Sequence, residues 1–321
     1  MARELKLGLN TGYWAGGPPP GMAETILEAE GLGFDSVWTA EAYGSDCLTP
    51  LAWWGARTEQ IRLGTAIVQM SARQPAAAAM AAMTMDHLSG GRFVLGLGVS
   101  GPQVVEGWYG RPFAKPLART REYIGILRGI WARKGPVTSD GPHYPLPFPD
   151  GTGLGKPLKA SIHPLREDIP IYLGAEGPKN IALAEGFARE GARRTQEDFD
   201  VAATVPFIVC DDVHQGVDML RPFYALYFGG MGAKSVNFHA NVPIRMGYEK
   251  EIREVQDLYL GGKKDEAAAL IPSELIERLS LVGPKDKIRD DVEAWRESIV
   301  TTILISGDAD TLRTAAELVL G

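Results

Sequence analysis

Arg92-Phe93-Val94-Leu95-Gly96-Leu97-Gly98-Val99 carries one charge, at its first residue, and runs into the glycine-bearing stretch Ser100-Gly101. A short, continuously apolar run bounded by turn residues reads as a strand covered on both faces, the pattern of a parallel sheet. Pro116 to Lys134 follows with Tyr123, Ile126, Leu127 and Ile130 on one face at helical spacing, and its proline lies in the first turn, where a helix tolerates it. A strand followed by a helix is the repeating unit of an α/β fold.

Working outward, the same unit recurs. Toward the N-terminus, Leu5 to Asn10 precedes a helix over Met22 to Leu32, Asp35 to Ala40 precedes one over Leu51 to Arg57, and Ile61 to Val68 precedes the Ala/Met-rich helix Pro75 to Leu88. Residues 135–168 break the rhythm with crowded Gly, Pro, His and Tyr, an insertion of loop or hairpin character. Beyond it, Ile169 to Gly174 is a strand with a helix over Pro178 to Ala188, and Phe199 to Val209 is a strand with a helix over Val213 to Phe228. A second, mainly helical insertion covers about 234–284, and Val300 to Ile305 is the last strand, with Asp310 to Leu320 as the closing helix. Strict alternation predicts right-handed crossovers and a parallel sheet. The first βα turn, Thr11 to Pro20, has no G-x-G-x-x-G spacing, so a closed (β/α)8 TIM barrel is preferred to a doubly wound sheet. Seven strands are legible, one short of eight. The expectation is a single domain over 1–321.

Composition excludes other classes. The chain has 321 residues, 45% hydrophobic and 23% charged, and 33 basic against 40 acidic side chains give a net charge of −7. That is a globular composition, and its acidity offers no field for nucleic acid. The longest apolar stretch, Ala76 to Met85, is about half of the roughly 20 residues a membrane span needs. Cys47 and Cys210 have neither C-x-x-C nor metal-type spacing and read as reduced thiols in a cytoplasmic protein.

Barrel chemistry sits where strands end. The residues at those exits are Glu41, Ala42, Tyr43, Gly44 and Asp46 after the second strand and Gln69, Met70 and Ser71 after the third. Gly98 to Gln103 follows the fourth and Gly174 to Lys179 the fifth. The Gly174 to Lys179 turn opens onto a helix and reads either as a phosphate site or as an ordinary tight βα loop. Glu41 reads either as a proton-transfer carboxylate or as an ion-pair or capping group. His239, beside Phe238 and Asn237 in the late insertion, reads as a residue covering the barrel mouth or as a surface histidine, while His87 falls on the bottom face. No cluster shows metal-ligand spacing and no G-x-S-x-G elbow is present, so no metal is expected.

Asp86-His87-Leu88-Ser89-Gly90-Gly91-Arg92-Phe93 through Gly98, preceded by Ile61 to Ala66, resembles the bacterial luciferase-like superfamily. Val99 to Gly110, Tyr172 to Asn180, and Gly229 to Gly232 with Asn237-Phe238 and Arg245 to Tyr248 resemble its actinobacterial coenzyme F420-dependent oxidoreductases, relatives of methylenetetrahydromethanopterin reductase. The resemblance spans nearly the whole chain. It implies hydride transfer between the deazaflavin C5 and a small organic substrate, with relatives commonly homodimers. It places the family's non-prolyl cis peptide on Ala66, Ile67 and Val68, the segment beside the cofactor on Gly98, Val99, Ser100 and Gly101, and the phosphate turn on Gly174, Ala175, Glu176 and Gly177, with Lys179 or Arg73 adding charge. Glu41 falls where relatives place a polar residue near the ring and is, with His239, a candidate catalytic residue; Tyr13, Trp14, Tyr43, Phe238 and His239 are expected to line the substrate pocket.

Two departures stand out. The Asp-His pair of some members is here Glu41-Ala42. Relatives also carry a sixth strand with an Ala-Asp-Gly-Trp-like motif, whereas here Ala184 and Glu185 run straight into Gly186-Phe187-Ala188, so one βα unit is absent near 184–186. A barrel cannot lose a unit without reorganising its closure, and the reading expects further residues between about Ala184 and Gly186, beyond 34.7 kDa. The rivals are an FMN-dependent luciferase-like monooxygenase and a non-catalytic F420-binding protein.

Overall fold

In a computed structural model, the structure describes residues 4–14, 16–190, 199–232 and 237–321. The first half comprises β1 (Lys6–Gly12), α1 (Met22–Gly31), β2 (Ser36–Thr39), α2 (Leu48–Gly55), β3 (Arg62–Thr65), β4 (Val68–Gln69), α3 (Pro75–Leu88), β5 (Phe93–Gly98), α4 (Pro102–Gly107) and α5 (Pro116–Ala132). Then come β6 (Ile171–Leu173), α6 (Pro178–Glu190), β7 (Ala202–Thr204), β8 (Phe207–Val209), α7 (Val213–Ala225) and a π-helical turn, Leu226–Gly230. The chain closes with α8 (Asn241–Arg245), α9 (Glu249–Leu260), α10 (Lys264–Ala269), α11 (Ser273–Leu279), β9 (Leu281–Gly283), α12 (Lys285–Arg296), β10 (Thr302–Ile305) and α13 (Ala309–Val319).

These elements form two compact units, one of Thr11–Leu27 and Ser36–Gly174, the other of the described residues up to Asn10, Glu28–Asp35 and Ala175–Gly321. In the first unit all pairings are parallel: β2 with β3, β3 with β5, and β5 with both β4 and β6. Every residue of β2 and of β5 is buried, as a parallel strand covered on both faces requires. Arg92 anchors the bottom of this sheet. Its guanidinium donates to the carbonyls of Ser89, Ile61 and Thr58 and to the Thr58 hydroxyl at 2.7–3.0 Å, so the Gly91-Arg92 motif ties the end of α3 to the approach to β3. Residues 135–168 form an extended insertion with antiparallel bridges Val137 to Leu158 and Ser139 to Leu146.

In the second unit β1 pairs with β10 and β10 with β7, all parallel, and β8 pairs with β9 as a separate two-stranded sheet. The late insertion folds as α8 to α11 around a core of Tyr224, Phe228, Ile252, Val255, Leu275 and Ile276.

Several boundaries differ from the sequence reading. Ile61 to Val68 is two strands, interrupted where the Ala66–Ile67 peptide is cis. Phe199 to Val209 is also two, separated at Val205-Pro206, because a proline has no N–H for a ladder. Leu281–Gly283, read as the end of a helical stretch, is the strand β9 on β8. α6 runs through Ala184 to Gly186 as one helix. The absent βα unit itself is visible: among the described residues β6 pairs only with β5 and β7 only with β10, where a closed barrel gives every strand two neighbours.

Candidate functional site

The exit of β2 is a polar knot. The Glu41 carboxylate is almost wholly buried and accepts from Arg73 Nη1 at 2.5 Å, the Gln69 backbone N–H at 2.8 Å and the Cys47 backbone N–H at 3.3 Å. Arg73 Nη2 also stands 3.7 Å from Asp46. Gln69 returns from the end of β4, its Nε2 donating to the carbonyls of Glu41 at 3.0 Å and Ala42 at 3.1 Å. Burial works against the Arg73 charge, yet the Glu41 hydrogen bond and negative charge leave its pKa above the ordinary value. The Cys47 thiol is pushed up by burial, with the Glu41 charge adding to it. Glu41 thus takes the ion-pair alternative of the sequence reading, and Arg73 is committed to it.

The neighbouring exits are more open. Leu63, Gly64, Thr65 and Val68 to Met70 are buried, but Ala66 and Ile67, on either side of the cis peptide, are half-buried. Ile67 lies over the end of β5: a Cβ at Gly98 would stand 2.5 Å from its Cγ1, and one at Gly174 3.5 Å from its Cγ2. Glycine at 98 is therefore what lets Ile67 seat there. Ser100, two residues on, holds φ at +59°, a left-handed conformation uncommon for a residue with a side chain and concentrated at functional sites. Gly174 donates its N–H to the Leu97 carbonyl at 2.8 Å, which fixes the start of the fifth turn on β5. In the same unit Tyr13 and Tyr43 rings lie 6.4 Å apart, and Trp14 packs on Trp54 at 5.7 Å while its N–H is held by Ser45 Oγ at 3.0 Å. Three of the four expected pocket residues are thus brought together.

The second unit holds the rest. Ala175, Glu176 and Gly177 lead into α6, where the Gly177 carbonyl accepts from the N–H groups of Asn180 at 2.9 Å and Ile181 at 3.0 Å. Glu176 Oε1 lies 2.9 Å from His239 Nδ1, and Arg245 Nη2 donates to the Glu176 carbonyl at 2.8 Å. Phe238, 43% exposed, precedes His239, and Lys179 is exposed. The sequence reading missed the Glu41–Arg73 pair and the Glu176–His239 pair because the partners are far apart along the chain. Among the described residues there is no group of three His, Cys, Asp or Glu that could hold a metal ion.

The family described as luciferase-like monooxygenase matches residues 8–188 and 183–302, so this chain belongs to that family. The two matched segments meet at 183–188, where the βα unit is absent. Within the family, the chain is 53% identical over 347 residues to a Mycobacterium tuberculosis protein named, provisionally, a coenzyme F420-dependent oxidoreductase, covering 99% of this chain and 100% of that one. The fold is luciferase-like. It matches the F420-dependent tetrahydromethanopterin reductase of Methanopyrus kandleri with a TM-score of 0.77 at 20% identity, over 99% of each chain. It also matches an F420-dependent secondary alcohol dehydrogenase solved with an F420-acetone adduct, TM-score 0.74 at 17% identity over 99% and 98%.

The residues present fit a deazaflavin in two respects. The half-buried Ala66 and Ile67 interrupt an otherwise buried strand exit and offer a surface for a planar ring. Beside them Gln69 Oε1 and Ser71 Oγ are buried acceptors without a partner among the described residues, capacity that native proteins seldom leave unused.

Proposed function

We propose that the protein is an F420-dependent oxidoreductase that moves a hydride between the deazaflavin C5 and a small organic substrate. The observation that carries this reading is the 53% identity, over essentially both whole chains, to the mycobacterial F420-dependent relative. When bound, F420 supplies the two-electron acceptor or donor, and the protein supplies position and exclusion of water. Ala66, Ile67 and Val68 would back the ring; Gly98, Val99, Ser100 and Gly101 would flank it; the backbone of Gly174, Ala175, Glu176 and Gly177 with the start of α6 would hold the phosphate. Tyr13, Trp14 and Tyr43 would contact substrate. Glu41 acts by holding Arg73 and Gln69 in place, since each of its oxygens already accepts a hydrogen bond.

The protein works in the cytoplasm as a homodimer. The support for the first is the pair of free cysteines, and for the second the exposure of Trp53 on α2 (76%) and of Met80 and Leu88 on α3 (53% and 73%). No helix among the described residues is long and apolar enough to cross a membrane. Light scattering at a monomer mass would overturn the dimer. Fluorescence titration of the apoprotein with F420 and with FMN tests the cofactor: saturable F420 binding supports the reading, and a clear preference for FMN would favour the monooxygenase.

A further inference from the structure

Charge is spread unevenly along this chain. Of its 33 basic and 40 acidic side chains, seven and one lie between Arg111 and Lys134, so the remainder holds 26 against 39. The basic stretch begins shortly after Gly98–Gly101, in the same unit, and the backbone folds its start back toward that segment. α4 has six residues and is about 9 Å long. The N–H groups of Trp108 and Tyr109 donate to the Val104 carbonyl at 3.0 and 3.1 Å, and that of Arg111 to the Val105 carbonyl at 3.0 Å. Arg111 therefore lies beside the middle of α4 rather than beyond its end.

Three cations gather there. Lys115 precedes α5, and its carbonyl accepts the N–H of Arg119, one turn further on, at 3.1 Å. The Arg119 guanidinium donates from Nε to the Ala114 carbonyl at 2.9 Å and lies 6.0 Å from the centre of the Tyr144 ring. Burial raises the Tyr144 pKa, and the charges of Arg119 and Arg111 oppose that rise, so both act on the same phenol. The one carboxylate in the stretch, Glu122, is committed to the insertion: it accepts from the N–H groups of His143 and Tyr144 at 2.9 and 3.2 Å and stands 3.8 Å from His143 Nε2. Arg111 and Lys115 are exposed and make no ion pair among the described residues. The start of α5, a helix of 17 residues, adds its own partial positive charge. Like charges held together repel one another, and an anionic ligand relieves that repulsion.

We infer that Arg111, Lys115 and Arg119 form a subsite for the oligoglutamate tail of F420, the string of carboxylates beyond the cofactor's phosphate. The inference rests on the F420 reading above. It gives a chain of net charge −7 a local field of the sign that a polyanion needs. Arg73, the other cation near the strand exits of this unit, is already held by Glu41. FMN has no such tail, so the subsite also contributes to the choice between the two cofactors. Its contacts are exposed ion pairs, each a change of about 1.5- to 5-fold in affinity, and salt screens them.

The test is a fluorescence titration of the apoprotein with three probes: F420 carrying two glutamates, F420 carrying six, and the deazaflavin core without phosphate or tail. At about 50 mM salt the six-glutamate form should bind about 3- to 10-fold more tightly than the two-glutamate form. That difference should vanish near 1 M salt, where the Debye length is about 3 Å. Arg111→Gln/Lys115→Gln changes two exposed side chains; it should abolish most of the difference and leave the affinity for the core within about twofold. Arg111→Lys should preserve the difference. Arg121→Gln/Lys134→Gln removes as much charge from elsewhere in the stretch and should leave the difference within about twofold. Equal affinity for the two tail lengths, or the same loss from both double variants, would overturn the subsite and leave the F420 reading standing. Protein that binds none of the three probes would overturn the cofactor reading, and the subsite with it.

Discussion

Glu41 shows what a single buried charge does at a strand exit. Its carboxylate joins β2, the start of α2 and the end of β4 through Cys47, Gln69 and Arg73. Removing one partner of such a pair costs more than the pair contributes, because the other is left in a poor solvent. Glu41→Gln should therefore lower stability by about 2–3 kcal/mol, with Arg73 discounted for its partial exposure. Urea unfolding measures this, and a change below about 0.5 kcal/mol would contradict the geometry. Cys47 gives a pH test. Burial raises its thiol pKa, so native protein keeps a proton that an unfolded cysteine loses near pH 8.5 or roughly so, and stability should fall as pH rises through that range. Cys47→Ala should remove that part of the loss, and an unchanged pH dependence would contradict it. The sequence shows Glu41 at an exit and already allows an ion pair, but its partner lies 32 residues away, and nothing along the chain encodes that distance.

At the scale of elements, glycine and isoleucine set the end of β5. A Cβ at Gly98 would meet Ile67, so Gly98→Ala should cost about 1–3 kcal/mol by overpacking. In a double-mutant cycle, Ile67→Ala should recover about 1 kcal/mol or more of that cost, and strict additivity would contradict the contact. Buried strands such as β2, β5 and β10 are legible because an element covered on both faces must be apolar throughout. The short α4 and the three-residue β9 are too brief to carry a period, and the interruption of the third strand at Ala66–Ile67 is a matter of backbone geometry that apolar spacing does not register. It was the family resemblance that pointed to those residues.

At the scale of the whole molecule, the absent βα unit leaves its mark on burial. The residues of β6 are all half-buried and those of β7 half-buried to exposed, whereas β2, β5 and β10 are fully buried. Each of these two strands has a single strand neighbour among the described residues. Hydrogen exchange should therefore be faster in Ile171–Leu173 and Ala202–Thr204 than in Phe93–Gly98, and equal protection would mean that a further partner covers them. The loss was legible as a missing strand in the βα alternation, but not its consequence, because sequence shows which strands exist and not which edges they leave. Family membership, fold and the F420 reading all rest on the chain as a whole. The decisive measurement is a paired titration of the purified apoprotein with F420 and with FMN. The account predicts saturable, stoichiometric binding of F420 with little response to FMN, and stoichiometric FMN binding with none to F420 would contradict it.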